Sequence, residues 1–543
     1  MQSVGHISNK TGIRYLYFTV FTSGMVTLAV ELSASRLLGS VFGTSNIVWA
    51  NVIGLILLYL AAGYFIGGRW ADRSPHYATL FRILLWSAFL SALIPLAARP
   101  VLVGAATAVA SAEAAVALGS FASVLVLFAI PVTLLGCVSP FAIRLAVGSV
   151  NDINQAGKVS GRIYAISTLG SLMGTFLPVL FLIPELGTIR TFLLFAGILY
   201  IVAWIGLYRD QGRLPLRWLW MPLVIGVVAA LVLNGPLRPP LPGAILLYEK
   251  ESAYNYIQVQ QDQAGNRYLY LNEGQGIHSQ WSPDTFGDNH RTWSFFLTAP
   301  YYNTPTVPPD RVQSLAIVGL AAGTIARQYT AVYGTDLPID GIEIDADIVA
   351  AGEQFFEMNA AFMPSLRVHV ADGRFMLSRL PGQYSIIALD AYRPPYIPWH
   401  LTTVEFFQEV REQLTEDGAA AINVGRTPTD RRLVDALTAT LLQVFPSVHA
   451  MDVPLSFNTI LVATVQPTSG ENLAQNLALL PADANALLRD ALTWGIAQQV
   501  PNNPSDLIFT DERAPVETLV DSLVVNFLLS GQTEQISSSS NAE

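Results

Sequence analysis

Leu315-Ala316-Ile317-Val318-Gly319-Leu320-Ala321-Ala322-Gly323-Thr324, followed after a helical stretch by Gly341-Ile342-Glu343-Ile344-Asp345, decides the fold of this chain. An apolar run, a turn of small residues, a helical pattern and a second apolar run ending in an acid form the grammar of a nucleotide-binding βαβ unit. Small residues at Gly319, Ala321 and Gly323 let the backbone come close to a ligand, and the helix start behind them offers free N–H groups. Glu343, at the next strand end, is placed to accept hydrogen bonds from ribose hydroxyls.

Outward from this unit the pattern repeats. Residues 367–373 read as a third strand running into Asp372-Gly373, and Tyr384 to Asp390 as a fourth, also ending in an acid. A fifth strand covers 419–424, with two more at 448–453 and 460–465. Short β-rich runs alternating with helical ones predict a mostly parallel sheet covered by helices, an α/β Rossmann-like domain. Ligands of such sheets sit at the carboxyl ends of the strands, so Glu343, Asp372 and Asp390 converge on one candidate site.

The composition shows what precedes this domain. Of 543 residues 52% are hydrophobic and only 13% charged, and the apolar excess lies before residue 236. Apolar stretches at 15–38, 46–68, 79–98, 118–143, 163–184, 190–208 and 216–234 approach the ~20 residues that cross ~30 Å of hydrocarbon. The expectation is a multi-span α-helical membrane domain over 1–235 with about seven spans, and hence a multi-pass protein of the cell membrane with the lipid bilayer as a partner. Residues 101–117, Ala-rich and mildly apolar, suit a further short or interfacial helix. The first stretch is no cleaved signal peptide, because it is long and similar segments follow. The net charge of −10 leaves no basic stripe to neutralise phosphates, which excludes a nucleic-acid partner. Cys137 is the only cysteine, which excludes a disulfide framework and cysteine metal sites.

Lys10, Arg14, Arg69, Arg73, Arg82, Arg144, Lys158, Arg162, Arg209, Arg213 and Arg217 fall on one side if the spans alternate, against Arg99 and Arg190 on the other. That bias places the amino terminus in the cytoplasm. An odd number of spans then sends the carboxy-terminal domain outside, whereas supply of a nucleotide-like donor favours the cytoplasmic side. Glu31, a carboxylate inside the first span, is a membrane candidate for function, the alternative being a partner such as Arg36 in the bundle. Gly63/Gly67 and Gly170/Gly174 have the spacing that suits close helix packing.

Residues 236–243 form a Pro-rich linker. An amino-terminal β-hairpin and lid region follows over 244–310, its two strands flanking the turn Asp262-Gln263-Ala264-Gly265-Asn266, and an aromatic helix starts near Trp293. The α/β domain then occupies 311–531, and the Ser-rich tail 532–543 is expected to be disordered.

Leu271-Asn272-Glu273-Gly274, His278-Ser279, the Gly319–Gly323 loop, Glu343-Ile344-Asp345, Asp372-Gly373 and Asp390 together resemble the spermidine synthase family, polyamine aminopropyltransferases with a class I methyltransferase-type sheet. Residues 398–407 and 510–517 are similar to a subgroup in which such a domain follows several membrane spans. The resemblance implies decarboxylated S-adenosylmethionine as co-substrate, with S-adenosylmethionine itself the alternative, and a small-molecule amine as acceptor; a homodimer is an assembly to look for. By analogy Glu343 holds the ribose, Asp372 with Gly373 the adenine side, and Gly319, Ala321 and Gly323 the region near the sulfonium. Asp390 is then the catalytic carboxylate that orients the amine and takes its proton.

The departures are specific. Where the family carries a second carboxylate three residues after the first, this chain has Arg393, a permanent cation, and Ala322 replaces an acid in the glycine loop. Asn255 aligns with an expected Gln, His278 stands where another Gln is common, and Trp293 falls near a pocket Tyr. Tyr392, His400 and Glu405 complete the acceptor and lid candidates, with Arg393 either facing the pocket or pairing with Glu405. His278 and His400 lack metal-ligand spacing, so no metal is expected.

The leading reading is a membrane-anchored transferase moving an aminopropyl group to an amine. A second uses S-adenosylmethionine to methylate a membrane or anionic substrate gripped by Arg393. A third is a non-catalytic polyamine or nucleoside sensor. A nicotinamide oxidoreductase is disfavoured by Thr324-Ile325-Ala326, which lacks the third glycine of that fingerprint.

Overall fold

The computed structural model describes residues 9–42, 46–108, 114–148, 155–233, 235–236, 238–272, 276–283, 291–392 and 397–529. The chain divides into two compact units, Met1–Pro239 with Glu251–Ala253, and Pro240–Lys250 with Tyr254–Glu543.

The first unit is helical: α1 (Asn9–Phe42), α2 (Asn46–Arg73), α3 (Tyr77–Ala108), α4 (Ala114–Gly136), α5 (Val138–Gly148), α6 (Ala156–Leu177), α7 (Ile183–Leu186), α8 (Thr188–Gln211) and α9 (Trp220–Val232). A π-helical segment, Pro178–Leu182, joins α6 to α7. Six stretches among the described residues are long and apolar enough to cross a membrane: Gly12–Gly39, Asn46–Arg73, Tyr77–Ala98, Leu118–Gly148, Ala156–Leu186 and Thr188–Gln211.

The seventh expected span is shorter than the other six: its described residues form a short 3₁₀ turn, Leu216–Trp218, and the 13-residue α9. At 1.5 Å per residue α9 rises roughly 20 Å, short of the ~30 Å hydrocarbon layer. It has no polar face; Trp220 packs on Trp86 and Phe89 of α3, and Leu223, Val227 and Leu231 are exposed.

Glycines set the helix contacts. A Cβ on Gly24 would stand 2.3 Å from the Ser167 carbonyl oxygen, and one on Gly174 2.0 Å from that of Met25, so α1 and α6 touch backbone to backbone. Gly63 meets Thr133 in the same way, and Cys137 lies buried against Gly67, so the expected small-residue seams are real packing surfaces.

The second unit opens with a four-stranded sheet, β1 (Ile245–Glu251), β2 (Tyr256–Gln261), β3 (Arg267–Leu271) and β4 (Ile277–Trp281), in that order. The expected hairpin is its centre, β2 pairing antiparallel with β3 around Asp262, whose carboxylate accepts the Ala264 and Asn266 amides at 2.9 Å each.

The eight-stranded sheet is built from β5 (Leu315–Val318), β6 (Ile339–Glu343), β7 (Leu366–Val370), β8 (Tyr384–Leu389), β9 (Leu414–Gly425), β10 (Ser447–Asp452), β11 (Asn458–Thr464) and β12 (Gln499–Val500). Its order is β12-β10-β11-β9-β8-β5-β6-β7, with β9-β8-β5-β6-β7 parallel and the other end antiparallel. Both faces are buried: Leu315 and Ile317 enter one apolar core and Ala316 and Val318 the other, which is why these strands read as unbroken apolar runs. The chain runs from β5 through β6 to β7 and returns to β8 on the other side of β5. That reversal opens a crevice at the carboxyl ends of β5 and β8.

Candidate active site

At the crevice the chain leaves β5 through a turn that glycine makes feasible. Gly319 has φ of +88°, and a Cβ there would lie 2.5 Å from the Asp390 carbonyl oxygen and 2.6 Å from the Ala391 nitrogen. Its amide donates to Ile342 on β6 at 2.9 Å, and Asp390 donates to Val318 at 2.9 Å, so the ends of three strands are tied together at this turn. Ala321 follows at φ +48°, and Gly323 at +83° begins α11 (Thr324–Tyr333) once α10 (Thr292–Phe296) has been passed.

Glu343 closes the β6 side of the crevice. Its Oε2 accepts the Ala321 amide at 2.9 Å and its Oε1 the Asp345 amide at 3.1 Å. Burial raises its carboxyl to about 7 against the pull of those amides. Asp345 caps α12 (Ala346–Phe355) and accepts Asn255 Nδ2 at 2.9 Å, while Asn255 Oδ1 accepts Asn272 Nδ2 at 2.9 Å. β4 grips the glycine loop directly: Ser279 Oγ accepts the Ala322 amide at 2.9 Å, and Thr324 Oγ1 accepts the Gln280 amide at 3.0 Å. The small sheet is thus bonded along the loop it borders. His278 on β4 is held neutral, its pKa lowered to about 4 by burial, and its Nε2 is enclosed without a partner among the described residues.

The β8 side of the crevice is built on Asp390. Asn423 Nδ2 on β9 donates to Asp390 Oδ1 at 2.9 Å, and the Trp293 indole on α10 also hydrogen-bonds the carboxylate. Burial nevertheless raises Asp390 to about 7. Asn423 is 6% exposed, and its Oδ1 has no partner among the described residues. Tyr392 sits over Gly425 with its hydroxyl enclosed and its pKa raised by burial and by the nearby Asp390. Asn423 escaped the sequence reading because it sits inside an apolar run. Only the β8–β9 pairing, Leu389 opposite Ile422, brings it to Asp390.

The remaining candidates are spread more widely. Asp372 caps α13 (Gly373–Leu377) through the Phe375 amide at 3.0 Å, and its other oxygen meets His400 Nε2 at 3.1 Å. A Cβ on Gly373 would lie 2.4 Å from Val318 Cγ1, so this glycine lets the helix start pack on β5. Glu405, on α14 (Val404–Glu412), accepts the Asp511 amide at 2.9 Å and pins the turn at Thr510 to Arg513. Arg393 lies outside the described residues, and Glu31 belongs to α1. Among the described residues no group of His, Cys, Asp and Glu could hold a metal ion.

The two raised carboxyls tie the site to stability. Ordinary values are roughly 4.3 for Glu and 3.9 for Asp, so the folded state holds these protons more tightly than the unfolded chain. Their contribution is fully present below about pH 4 and is lost as pH climbs through about 7, by a few kcal/mol for each group at most. Thermal melts from pH 5 to 8 are expected to show this fall, and Glu343→Gln and Asp390→Asn should each flatten it. Unchanged slopes in both would refute this source of the pH dependence.

Residues 312–472 match the family described as Spermine/spermidine synthase domain, so this stretch of the second unit is spermidine synthase-like. The chain is 31% identical over 293 residues to the Probable polyamine aminopropyl transferase of Bifidobacterium longum (strain NCC 2705), covering 50% of this chain and 62% of that one. It is 31% identical over 182 residues to the Polyamine aminopropyltransferase of Vibrio vulnificus (strain CMCP6), covering 32% and 57%. The chain therefore spans about three-fifths of the length of these relatives. A crystal structure of a probable spermidine synthase from Corynebacterium glutamicum ATCC 13032 aligns at a TM-score of 0.36 and 19% identity, covering 50% of this chain and 99% of that one.

Proposed function

Because residues 312–472 carry a spermine/spermidine synthase domain, we propose that this chain is a membrane-inserted transferase that moves an aminopropyl group from decarboxylated S-adenosylmethionine to an amine. The observation that carries the reading is Asp390: a carboxyl near pH 7, bonded by Asn423 and Trp293, at the crevice where Gly319 brings β5 against β8. An amine that attacks the carbon beside a sulfonium must first be neutral. Asp390 holds the incoming ammonium, takes one proton, and leaves the nitrogen lone pair free to form the C–N bond as the C–S bond breaks. The leaving group is a neutral thioether. A base with a pKa near the operating pH is well matched to this task.

On the donor side Glu343 keeps lone pairs for ribose hydroxyls beyond the two amides it accepts, and the glycine loop admits the chain that bears the sulfonium. The six long apolar helices insert the protein in a membrane as a multi-pass chain. Resistance of the protein to alkaline carbonate extraction from membranes checks that part.

The deciding experiment incubates the full chain with decarboxylated S-adenosylmethionine or with S-adenosylmethionine, plus a panel of amines, and reads products by mass spectrometry. Methylthioadenosine together with an amine that has gained an aminopropyl group is expected. S-adenosylhomocysteine would replace this reading with methyl transfer, and binding without turnover would replace it with a sensor.

Asn423 supplies a finer check. Its N–H stabilises the ionised form of Asp390, so Asn423→Ala should move the acidic limb of kcat/KM upward by about one pH unit. A limb that stays in place would remove Asn423 from the base.

A further inference from the structure

Glu31 has no part in the transfer chemistry. It lies in the Gly12–Gly39 stretch of α1, partly buried, and no hydrogen bond or ion pair reaches its carboxylate among the described residues. A carboxylate inside hydrocarbon without a partner is costly, so its surroundings call for a positive charge or a donor.

The helix contacts show what stands opposite. Gly24 meets Ser167, Gly170 meets Phe21, and Gly174 meets Met25, so α1 and α6 run parallel with a fixed register. Glu31 follows Gly24 by two helical turns on the same face of α1, and Pro178 follows Gly174 by one turn on α6. The register therefore carries Glu31 to the level of the π-helical segment Pro178–Leu182, which α1 touches. Pro178 has no amide hydrogen to return to the Gly174 carbonyl, and the next turn is closed by Ile183 N–H donating to the Pro178 carbonyl. A carboxylate and a backbone carbonyl deprived of its regular helical donor are both acceptors. Breaks of this kind in a membrane helix are tolerated where the freed groups face protein or a ligand.

We propose that Glu31 and the π-helical break of α6 form a binding site for a primary ammonium group within the helical bundle. The proposal rests on membrane insertion and not on the transfer chemistry. An ammonium brings three N–H donors to a carboxylate and neighbouring carbonyls. A divalent metal ion asks for about six or more oxygens, which one carboxylate and one helix break do not supply.

The test is equilibrium dialysis of the full chain in detergent against radiolabelled butylamine at pH 7, where the probe is an ammonium ion. Glu31→Gln is expected to remove one bound butylammonium per chain. Pro178→Ala, which restores an amide hydrogen and leaves the charge in place, is expected to weaken the same site at least tenfold. Wild-type binding in both variants would overturn the proposal, and so would displacement of butylamine by an equal concentration of sodium. If Glu31→Gln does not fold, Pro178→Ala carries the test alone. Failure of the transfer reading shows separately, as absence of methylthioadenosine while the Glu31-dependent binding persists.

Discussion

Asp390→Asn is expected to lower kcat by two to four orders of magnitude, the range that loss of a positioned general base produces. The substitution keeps the shape of the side chain and removes its basicity. Asn423 can turn its unpaired Oδ1 toward the new amide, so the local packing survives. The fall should therefore appear in kcat, with the affinity for the adenosyl donor within a few-fold of wild type, since Glu343 and the glycine loop are untouched. The same variant should melt higher at pH 8, because a buried carboxylate that resists ionisation has been replaced by a neutral group. A kcat reduced less than tenfold would show that another group, or water, takes the proton.

Gly319→Ala is the second large effect. At φ +88° an alanine costs about 1–2 kcal/mol in backbone conformation alone. Its methyl would also stand 2.5 Å from the Asp390 carbonyl oxygen, so the peptide that carries the proposed catalytic carboxylate must move. Displacement of a reacting group by ~1 Å can cost about 100-fold in rate, and a loss of that order is expected. Gly334→Ala is the control. Gly334 has φ of +97° but open space where the methyl would go, so it should lose similar stability and keep full activity. Equal losses of activity in the two variants would mean that backbone strain, and not the contact with Asp390, sets the effect.

The parts of the fold that were legible are those in which local pattern and tertiary role coincide. The run from Leu315 to Asp345 announces strand, turn, helix and strand because both faces of β5 are buried and the turn needs glycine at Gly319. The place of Glu343 at the end of β6 follows from the same pattern. The resemblance places Asp372 at the adenine, and in the structure one of its oxygens caps a helix start while the other meets His400. An Asp-Gly pair announces a cap as readily as a site.

Other parts depend on pairings far apart in sequence. Asn423 reaches Asp390 only through the register of β8 on β9. Ser279 and Thr324 matter because β4 lies along the glycine loop, and no periodicity in the isolated segments reports that. The helical unit shows a further limit of pattern. Hydropathy treats 216–234 as one span, whereas the helix begins only at Trp220, after a turn that follows Pro215.

The seam between α2 and α4 has a practical consequence. It encloses the only sulfhydryl of the chain, Cys137, whose Sγ donates to the Thr133 carbonyl at 3.3 Å. A thiol-specific reagent applied to intact cells therefore meets a native protein that is its own blank. One cysteine placed at Gly265, on the turn between β2 and β3, then gives a signal that belongs to that position alone. Reaction with an impermeant maleimide from outside assigns α9 as a seventh crossing. Protection until the cells are opened leaves the six long helices as the full set, with the chemistry on the side where the chain began.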